Sequence, residues 1–364
     1  MGLIVAASVG VAIVLGGAGA FVAVRLSQQP TGTTGSGPTG TGPTRTGSTS
    51  ARTPDPSPTP ATSATATPPA TDTTRISLPG TTVVIQENDA DPIKLASYSV
   101  EGGERVYVRQ AGSDRFSLTK SYFEYVPNPE GTTALATNAD YSDDNYAQLS
   151  IVEHGTGRRK TIKLSAAPVY PTTPRWSPDG RYGLVTLFKV EGKTSVAYGY
   201  GIIDVQRATG KIFQVKDKGA GDFYFFWHGD SRTVGTWAGD RLLSYDLEGA
   251  KVQTLTGKGS AVWVEGYDVS PSGAYALAHC TSAGVALCPS DPAGRGTPPA
   301  SIPFASTRLI GWWDEHHVAG WRTYGKGFQA VVVDLNGKVT RVLATAPNTK
   351  EFGDMGFRYT RVAP

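Results

Sequence analysis

The chain has 364 residues, and its 34 basic and 31 acidic side chains give a formal net charge of +3. Most of the excess lies in residues 1–75, which contain four Arg and two Asp, so the remainder is almost neutral. A near-neutral domain lacks the basic surface that nucleic acids require, and we exclude a nucleic-acid partner.

Residues 1–26 begin with an uncharged apolar stretch from Gly2 to Val24. At about 1.5 Å per residue this stretch is long enough to cross a hydrocarbon core of about 30 Å. We predict a single transmembrane helix or uncleaved signal anchor, with cleavage after Ala20 as the alternative, because Ala18-Gly19-Ala20 fits a small-residue cleavage site. The single Arg25 that follows would favour a cytoplasmic C-terminal side, but one charge weighs little.

Residues 27–75 form a Thr-, Pro-, Ser- and Gly-rich segment with almost no large apolar side chains. Such a composition cannot bury enough surface to fold, so we predict a disordered stalk. Stalks of this composition are common in exported proteins. The sequence therefore predicts a membrane tether for whatever follows.

Residues 76–364 contain a repeated turn. Asn128–Gly131, Ser177–Gly180 and Ser270–Gly273 share Pro at the second position and Gly at the fourth, which favours a type I turn closing a hairpin. His228–Ser231 and Trp313–His316 occupy the same place in weaker form, and successive turns begin 42 to 51 residues apart. That interval is typical of one four-stranded propeller blade. The predicted blade-turn residues are Pro129, Gly131, Trp176, Pro178, Asp179, Gly180, Pro271 and Gly273.

A second turn follows in each unit, at Gly157, Gly210, Gly249, Gly294 and Gly337. Alternating strands lie between the turns, and no long helical pattern interrupts them. Arg105–Arg109 matches the back half of a unit, and residues 356–362 match an opening strand that would close the ring and remove the sheet edges. We predict an all-β domain, a β-propeller of six blades, with seven as the alternative.

The two cysteines, Cys280 and Cys288, flank Gly284. A hairpin centred on that glycine places them opposite each other, at the Cβ spacing that a disulfide needs. We predict a disulfide, with two buried thiols as the alternative. An oxidised pair favours an exported domain, and with the stalk it outweighs the charge of Arg25.

Catalytic motifs are missing from the sequence, which has no G-x-S-x-G, H-E-x-x-H or C-x-x-C. Asp140, Ser142 and Asp144 follow the first ligand positions of a calcium loop, but Asn145 and Ile151 replace the Gly and Glu that such a loop needs. We therefore keep Asp140 and Asp144 only as weak metal candidates against a solvated acidic loop. His316 and His317 are adjacent in a predicted strand, so they would point to opposite faces and not share a metal.

The stretch Trp176-Ser-Pro-Asp-Gly-Arg-Tyr-Gly-Leu-Val185 and the hairpin ending Tyr245-Asp-Leu-Glu-Gly249 resemble the repeats of TolB-type and related WD-like propellers. The order of span, stalk and propeller resembles membrane-anchored propeller proteins of actinobacteria whose function is uncharacterised. The resemblance implies an extracytoplasmic role in binding, since TolB-like proteins act in the cell envelope through protein contacts. A separate domain before the propeller, as in TolB, is not evident in the sequence.

These observations lead to the hypothesis of a monomeric propeller, tethered to the cell membrane on its outer side, that binds an envelope or extracellular protein, peptide or glycan without a cofactor. The alternative is a propeller hydrolase or lyase with a metal-dependent site at the channel mouth. Its acids would be drawn from Asp140, Asp144, Asp230 and Glu315. A purely structural envelope module is a third possibility.

Overall fold

The computed structural model describes residues 72–221, 224–280, 286–294 and 300–362. None of the helices in these ranges reaches the length and apolar character of a membrane span. The predicted transmembrane helix at residues 1–26 and the stalk up to residue 71 lie outside the described residues, as does Gly284.

Strands dominate the described chain. In chain order they are β1 (Thr74–Ser77), β2 (Val84–Glu87), β3 (Ile93–Val100), β4 (Arg105–Arg109), β5 (Phe116–Thr119), β6 (Tyr122–Pro127), β7 (Thr133–Asn138), β8 (Tyr146–Glu153), β9 (Arg159–Ala166), β10 (Val169–Trp176), β11 (Tyr182–Glu191), β12 (Thr194–Asp204), β13 (Thr209–Gln214), β14 (Phe225–Trp227), β15 (Val234–Ala238), β16 (Arg241–Tyr245), β17 (Lys251–Thr256), β18 (Val264–Tyr267), β19 (Ala276–His279), β20 (Leu287–Ser290), β21 (Arg308–Trp312), β22 (His317–Tyr324), β23 (Gly327–Asp334), β24 (Val339–Ala346) and β25 (Gly356–Arg361). A 3-10 turn covers Glu101–Gly103, and one short helix, α1, covers Thr349–Gly353.

Six sheets contain these strands, and three of the sheets are four-stranded antiparallel units made of consecutive strands: β6 to β9, β10 to β13 and β14 to β17. Burial falls outward within a unit. All five residues of β15 are buried, whereas the outer strand β17 is largely exposed. A middle strand packs on both faces against neighbouring sheets, and an outer strand meets water. This order of sheets is that of a β-propeller.

The last strand, β25, joins three strands from the first part of the domain in one sheet of order β25-β3-β4-β5. Tyr359 of β25 pairs with Leu95 of β3, and Phe357 pairs with Tyr98. The last strand thus supplies the inner position of a sheet whose other strands come from the start of the domain, as the sequence predicts. Such a closure removes two free sheet edges.

We call the junction of β25 with its neighbours β3 and β6 the seam. One feature of the adjoining sheet was not predicted. β1 and β2 form a hairpin that adds to the outer edge of the sheet containing β21 to β24, through Val84 and Ile85 beside Thr345 and Ala344. The hairpin begins with β1 at Thr74. The buried side chain of Ile85 explains the pairing, because the hairpin covers apolar surface there.

The unit that begins with β18 is irregular. β18 pairs in parallel with β21 of the next unit, so these two strands belong to one sheet, and β19 and β20 form a two-stranded sheet of their own. Isolated β-bridges join Val269 to Ala276 and Leu287 to Ile302. They preserve the order of neighbouring segments that the other units show. The prediction of four regular strands in every unit is therefore too simple here.

The repeated turns close in the same way. The N–H of Gly131, Gly180 and Gly273 donates to the carbonyl three residues earlier, at 2.9, 2.9 and 2.7 Å. All three glycines have positive φ, between +66° and +73°, which a side chain disfavours. Gly210 is different: it lies inside β13, and the turn falls before it, with Ala208 at φ +52°. A Cβ at Gly210 would lie 2.7 Å from Leu164, so close packing between sheets explains this glycine.

Aromatic side chains fill the spaces between neighbouring sheets. Trp312 and Trp321 are fully buried, and Trp321 stacks on Phe357 of the closing strand at 5.1 Å between ring centroids. Tyr200 packs on Phe225 of the next sheet at 4.8 Å. Aromatic pairs of this kind contribute beyond their buried area, so they help to hold successive sheets in register.

Candidate functional site

A cavity of about 180 Å³ opens where the first strands of the sheets converge. Its walls come from β10, β18 and β25 and from the turns that follow β6, β10, β14 and β18. We call this opening the mouth. Because its walls belong to different sheets, the mouth exists only in the closed arrangement.

The outer wall of the mouth, which we call the rim, is largely apolar. It consists of Pro129, Trp176, Pro178, Trp227 and Pro271. Trp176 donates its indole N–H to the carbonyl of Val126 at 2.9 Å and so spans two sheets. Rigid prolines and an anchored indole ring give the rim a fixed shape that costs little entropy to present.

The rim turns are joined to one another. The backbone N–H of Asp179 donates to Ser231 Oγ at 3.0 Å, and Ser272 Oγ donates to Glu315 Oε2 at 3.0 Å. Between these two links, Gly229 and Gly273 pack so closely that neither has room for a Cβ. The turns of four consecutive units are therefore braced side by side.

The inner wall of the mouth, which we call the floor, carries Arg175, Glu265, Asp268 and Arg358. Arg175 of β10 forms an ion pair with Asp268 at 2.5 Å and donates to the carbonyls of Val264 and Gly266 at 2.7 Å. It thereby ties β10 to the strand two units away. Asp268 also accepts from Tyr224 at 2.5 Å, and burial raises the pKa of its carboxyl.

A second ion pair joins the closing strand to its neighbour. Arg358 of β25 forms an ion pair with Glu124 of β6, and the backbone N–H of Thr173 donates to the same carboxylate at 2.7 Å. The side chains of Arg358 and Glu124 are 19% and 4% exposed. A buried charge that loses its partner destabilises the folded protein. The ion pair therefore favours the closed ring, in which β25 lies beside β6, over arrangements in which the two strands are apart.

Glu265 is the least satisfied group of the floor. Its side chain is 2% exposed, and it forms an ion pair with Arg308 at 3.5 Å. Its Oε2 atom is enclosed and has no hydrogen-bond partner among the residues that the structure describes. Burial raises the pKa of Glu265 to about 7, although Arg308 and Arg358 act in the opposite direction. A carboxyl in this environment changes its charge near neutral pH.

Arg361 completes the mouth at the end of β25. Its guanidinium donates to the carbonyls of Trp312 and Trp313 at 2.9 and 3.2 Å and lies 4.7 Å from the ring centroid of Tyr267. Burial lowers the pKa of Arg361 below its ordinary range. Among the described residues no carboxylate forms an ion pair with it.

Five of the predicted blade-turn residues line the mouth: Pro129, Trp176, Pro178, Pro271 and Gly273. Asp179 is exposed and turns its carboxylate back to its own turn, where it accepts from Ser177 Oγ and the N–H of Arg181. The sequence prediction named these positions for folding. The structure shows that most of them also shape the mouth.

The candidate metal ligands lie elsewhere. Asp144 accepts from Ser142 and from Lys163, whose hydrogen bond is the main reason that the pKa of Asp144 is lowered. Among the described residues no group of three His, Cys, Asp or Glu side chains is arranged to hold a metal ion.

The other acids of the alternative hypothesis are also engaged. Asp230 accepts from the N–H groups of Arg232 and Thr233, and Glu315 is bound by Ser272. His317 Nδ1 lies 2.9 Å from Asp314. These side chains stabilise turns, and the structure does not bring the four acids together.

Cys280 and Cys288 form a disulfide, with their Cα atoms 5.0 Å apart. The register differs from the predicted one, because Ala278 lies opposite Cys288 and the N–H of Cys280 donates to Ala286. The two cysteines are therefore diagonal neighbours on one face.

The charged residues of the mouth were not predicted from the sequence. Four of them belong to or adjoin short strands that also carry apolar and aromatic residues: Glu265, Asp268, Arg358 and Arg361. A charge in an inner strand is the signal that could have identified them, since such a side chain needs a buried partner.

No protein-family model matches the sequence, and no curated protein matches it. Solved structures with a similar arrangement include TolB from Acinetobacter baumannii, with a TM-score of 0.47 and 14% identity over 76% of this chain and 67% of that one. A protein of unknown function from Desulfotomaculum acetoxidans has a TM-score of 0.46 and 10% identity over 69% and 80% of the two chains. One from Bacteroides caccae has a TM-score of 0.45 and 12% identity over 74% and 100%.

Proposed function

We propose that this protein is a six-bladed propeller, tethered to the outer side of a cell membrane, that binds a protein partner by taking an extended peptide segment of it into the mouth. The observation that carries the proposal is the combination of a braced apolar rim with a charged floor. An apolar cleft with a few convergent polar groups is the usual form of a binding site. A rigid frame reduces the entropy lost on binding.

A peptide suits this site better than a glycan. The rim presents three prolines and two indole rings, which favour apolar side chains, and the cavity of about 180 Å³ takes only one or two such side chains. Binding therefore depends on a short segment, with the rest of the partner outside the mouth.

Catalysis at the mouth is the second candidate, since a buried carboxyl with a pKa near 7 is typical of general acids and bases. Glu265 is the group in question. Its Oε2 atom is enclosed, and the side chain is only 2% exposed, so a substrate would not reach it in this conformation. This enclosure favours binding over catalysis.

The binding proposal is tested by site-specific photocrosslinking of the full chain in cells. A benzophenone amino acid is placed at Pro271 on the rim, and at Val252 as the control, which is 55% exposed on the outer strand β17. We expect a discrete adduct only from the rim, and a synthetic peptide of the crosslinked segment should bind the purified protein. Equal labelling from both positions, or none from the rim, would contradict the proposal.

The location is tested separately by labelling intact cells with a membrane-impermeant maleimide. The variant carries Ser48→Cys in a Cys280→Ser/Cys288→Ser background. Labelling without lysis supports the outer location, and labelling only after lysis places the domain inside the cell.

A further inference from the structure

We infer that the mouth selects a peptide that carries a carboxylate beside an apolar residue, and that Arg361 is the anchor for this carboxylate. The inference rests on the proposed peptide-binding function and names its ligand chemistry. Arg361 lines the cavity at the end of the closing strand, next to the rim.

The first argument is charge balance. Arg175 is paired with Asp268 and Arg358 with Glu124, so each of these buried guanidinium groups has a carboxylate. Among the described residues, the guanidinium of Arg361 contacts the carbonyls of Trp312 and Trp313 and the face of Tyr267, and it has no carboxylate partner. Carbonyl dipoles do not neutralise a charge, and a guanidinium in a poorly solvated place gains from a counterion.

Two acids lie near Arg361 on the turn after β21, but both have other partners. Asp314 accepts from the N–H of His316 and lies 2.9 Å from His317 Nδ1. Glu315 accepts from Ser272. They raise the pKa of Arg361 at a distance without offsetting burial, which lowers it. Within the part of the chain that the structure describes, the guanidinium of Arg361 therefore has no direct counterion.

The geometry of the guanidinium favours a carboxylate. Arginine has five N–H donors in a planar fork that matches the two oxygens of a carboxylate. The carbonyls of Trp312 and Trp313 take one N–H from each terminal nitrogen of Arg361, so among the described residues the second N–H of each terminal nitrogen and the N–H of Nε are left for a carboxylate. The ring of Tyr267 stacks on the fork and fixes its orientation. Since the rim beside it is apolar, the preferred ligand combines a carboxylate with an adjacent apolar side chain.

The test uses two matched pairs of small probes on the purified full chain. N-acetyl-leucine against N-acetyl-leucinamide reports a C-terminal carboxylate, and N-acetyl-leucyl-glutamic α-amide against N-acetyl-leucyl-glutamine amide reports a side-chain carboxylate. Affinities are measured by ligand-detected NMR. We expect the acid of at least one pair to bind about tenfold more tightly than its amide, which is the effect of one charged hydrogen-bonded contact.

Arg361→Gln should abolish this preference, and Arg361→Lys should retain part of it, because the charge stays and the fork is lost. Arg207→Gln is the control. Arg207 is 77% exposed and lies in the turn between β12 and β13, far from Arg361 in the sequence. Equal binding of acid and amide, a preference that survives in Arg361→Gln, or no binding of any probe would overturn the inference. A rim crosslink to a partner segment without acidic groups would overturn it while leaving the proposed function intact.

Discussion

Glu265 makes the stability of the propeller depend on pH in a direction opposite to that of an ordinary salt-bridged carboxylate. Burial raises the pKa of Glu265 in the folded protein from an ordinary 4.5 to about 7. The folded state therefore binds this proton more tightly than the unfolded state does. The stabilising contribution is fully present below about pH 4.5 and is lost as the pH rises through 7.

The magnitude follows from the two pKa values. Between pH 5 and pH 8 the contribution of Glu265 to the free energy of unfolding falls by about 2.5 kcal/mol. Glu265→Gln keeps the shape of the side chain and removes the titration. As the pH rises from 5 to 8, the free energy of unfolding of the variant should therefore increase by about 2.5 kcal/mol relative to that of the original protein.

The assay is urea unfolding followed by tryptophan fluorescence at pH 5, 6, 7 and 8. Subtracting the two proteins at each pH cancels every other titrating group, including Asp268, whose pKa is also raised by burial. Glu104→Gln, on an exposed turn, controls for the loss of a carboxylate as such. A difference that changes by less than about 1 kcal/mol between pH 5 and pH 8 would refute the argument.

Three further changes test the seam, the hairpin and the rim by urea unfolding. Arg358→Ala leaves a buried carboxylate unpaired and should lower the free energy of unfolding by about 3 to 5 kcal/mol. The control is Arg158→Ala, which should have little effect because Arg158 is 81% exposed. Similar losses from the two variants would show that burial at the seam is unimportant. Cys280→Ser removes the disulfide, which closes a loop over a sequence separation of 8, and should lower the free energy of unfolding by about 2.5 kcal/mol. A thiol titration of the denatured original protein should show no free thiol before reduction. Gly229→Ala forces two rim turns apart and should lower the free energy of unfolding by about 1 to 3 kcal/mol, while Gly155→Ala places a Cβ that has no described atom within 4 Å and should be neutral. Equal effects would argue against close contact of the turns.

Local turn chemistry accounts for what the sequence predicts well. Pro at the second position and Gly at the fourth fix a tight turn through backbone preferences alone, so Ser177–Gly180 and Ser270–Gly273 mark the ends of inner strands without knowledge of the fold. Gly210 shows the limit of this reasoning. A glycine required for packing against Leu164 has the same sequence signature as one required for a turn, and only the neighbouring sheet distinguishes the two.

The mouth could not be predicted in the same way, because its charges pair over long sequence separations. Arg358 meets Glu124 across 234 positions, and Arg175 reaches Gly266 across 91. Each residue viewed alone is an ordinary charge in a strand of alternating character. Closing the ring brings the strands together, and the opposite charges on them then form buried ion pairs. It leaves Arg361 as the cation of the mouth that has no ion-pair partner among the described residues. Ring closure thus both stabilises the fold and creates the unmatched charge, so we expect ligand binding at Arg361 to depend on an intact seam. Arg358→Ala should weaken the preference of the mouth for the acid probe even though Arg358 does not contact the carboxylate.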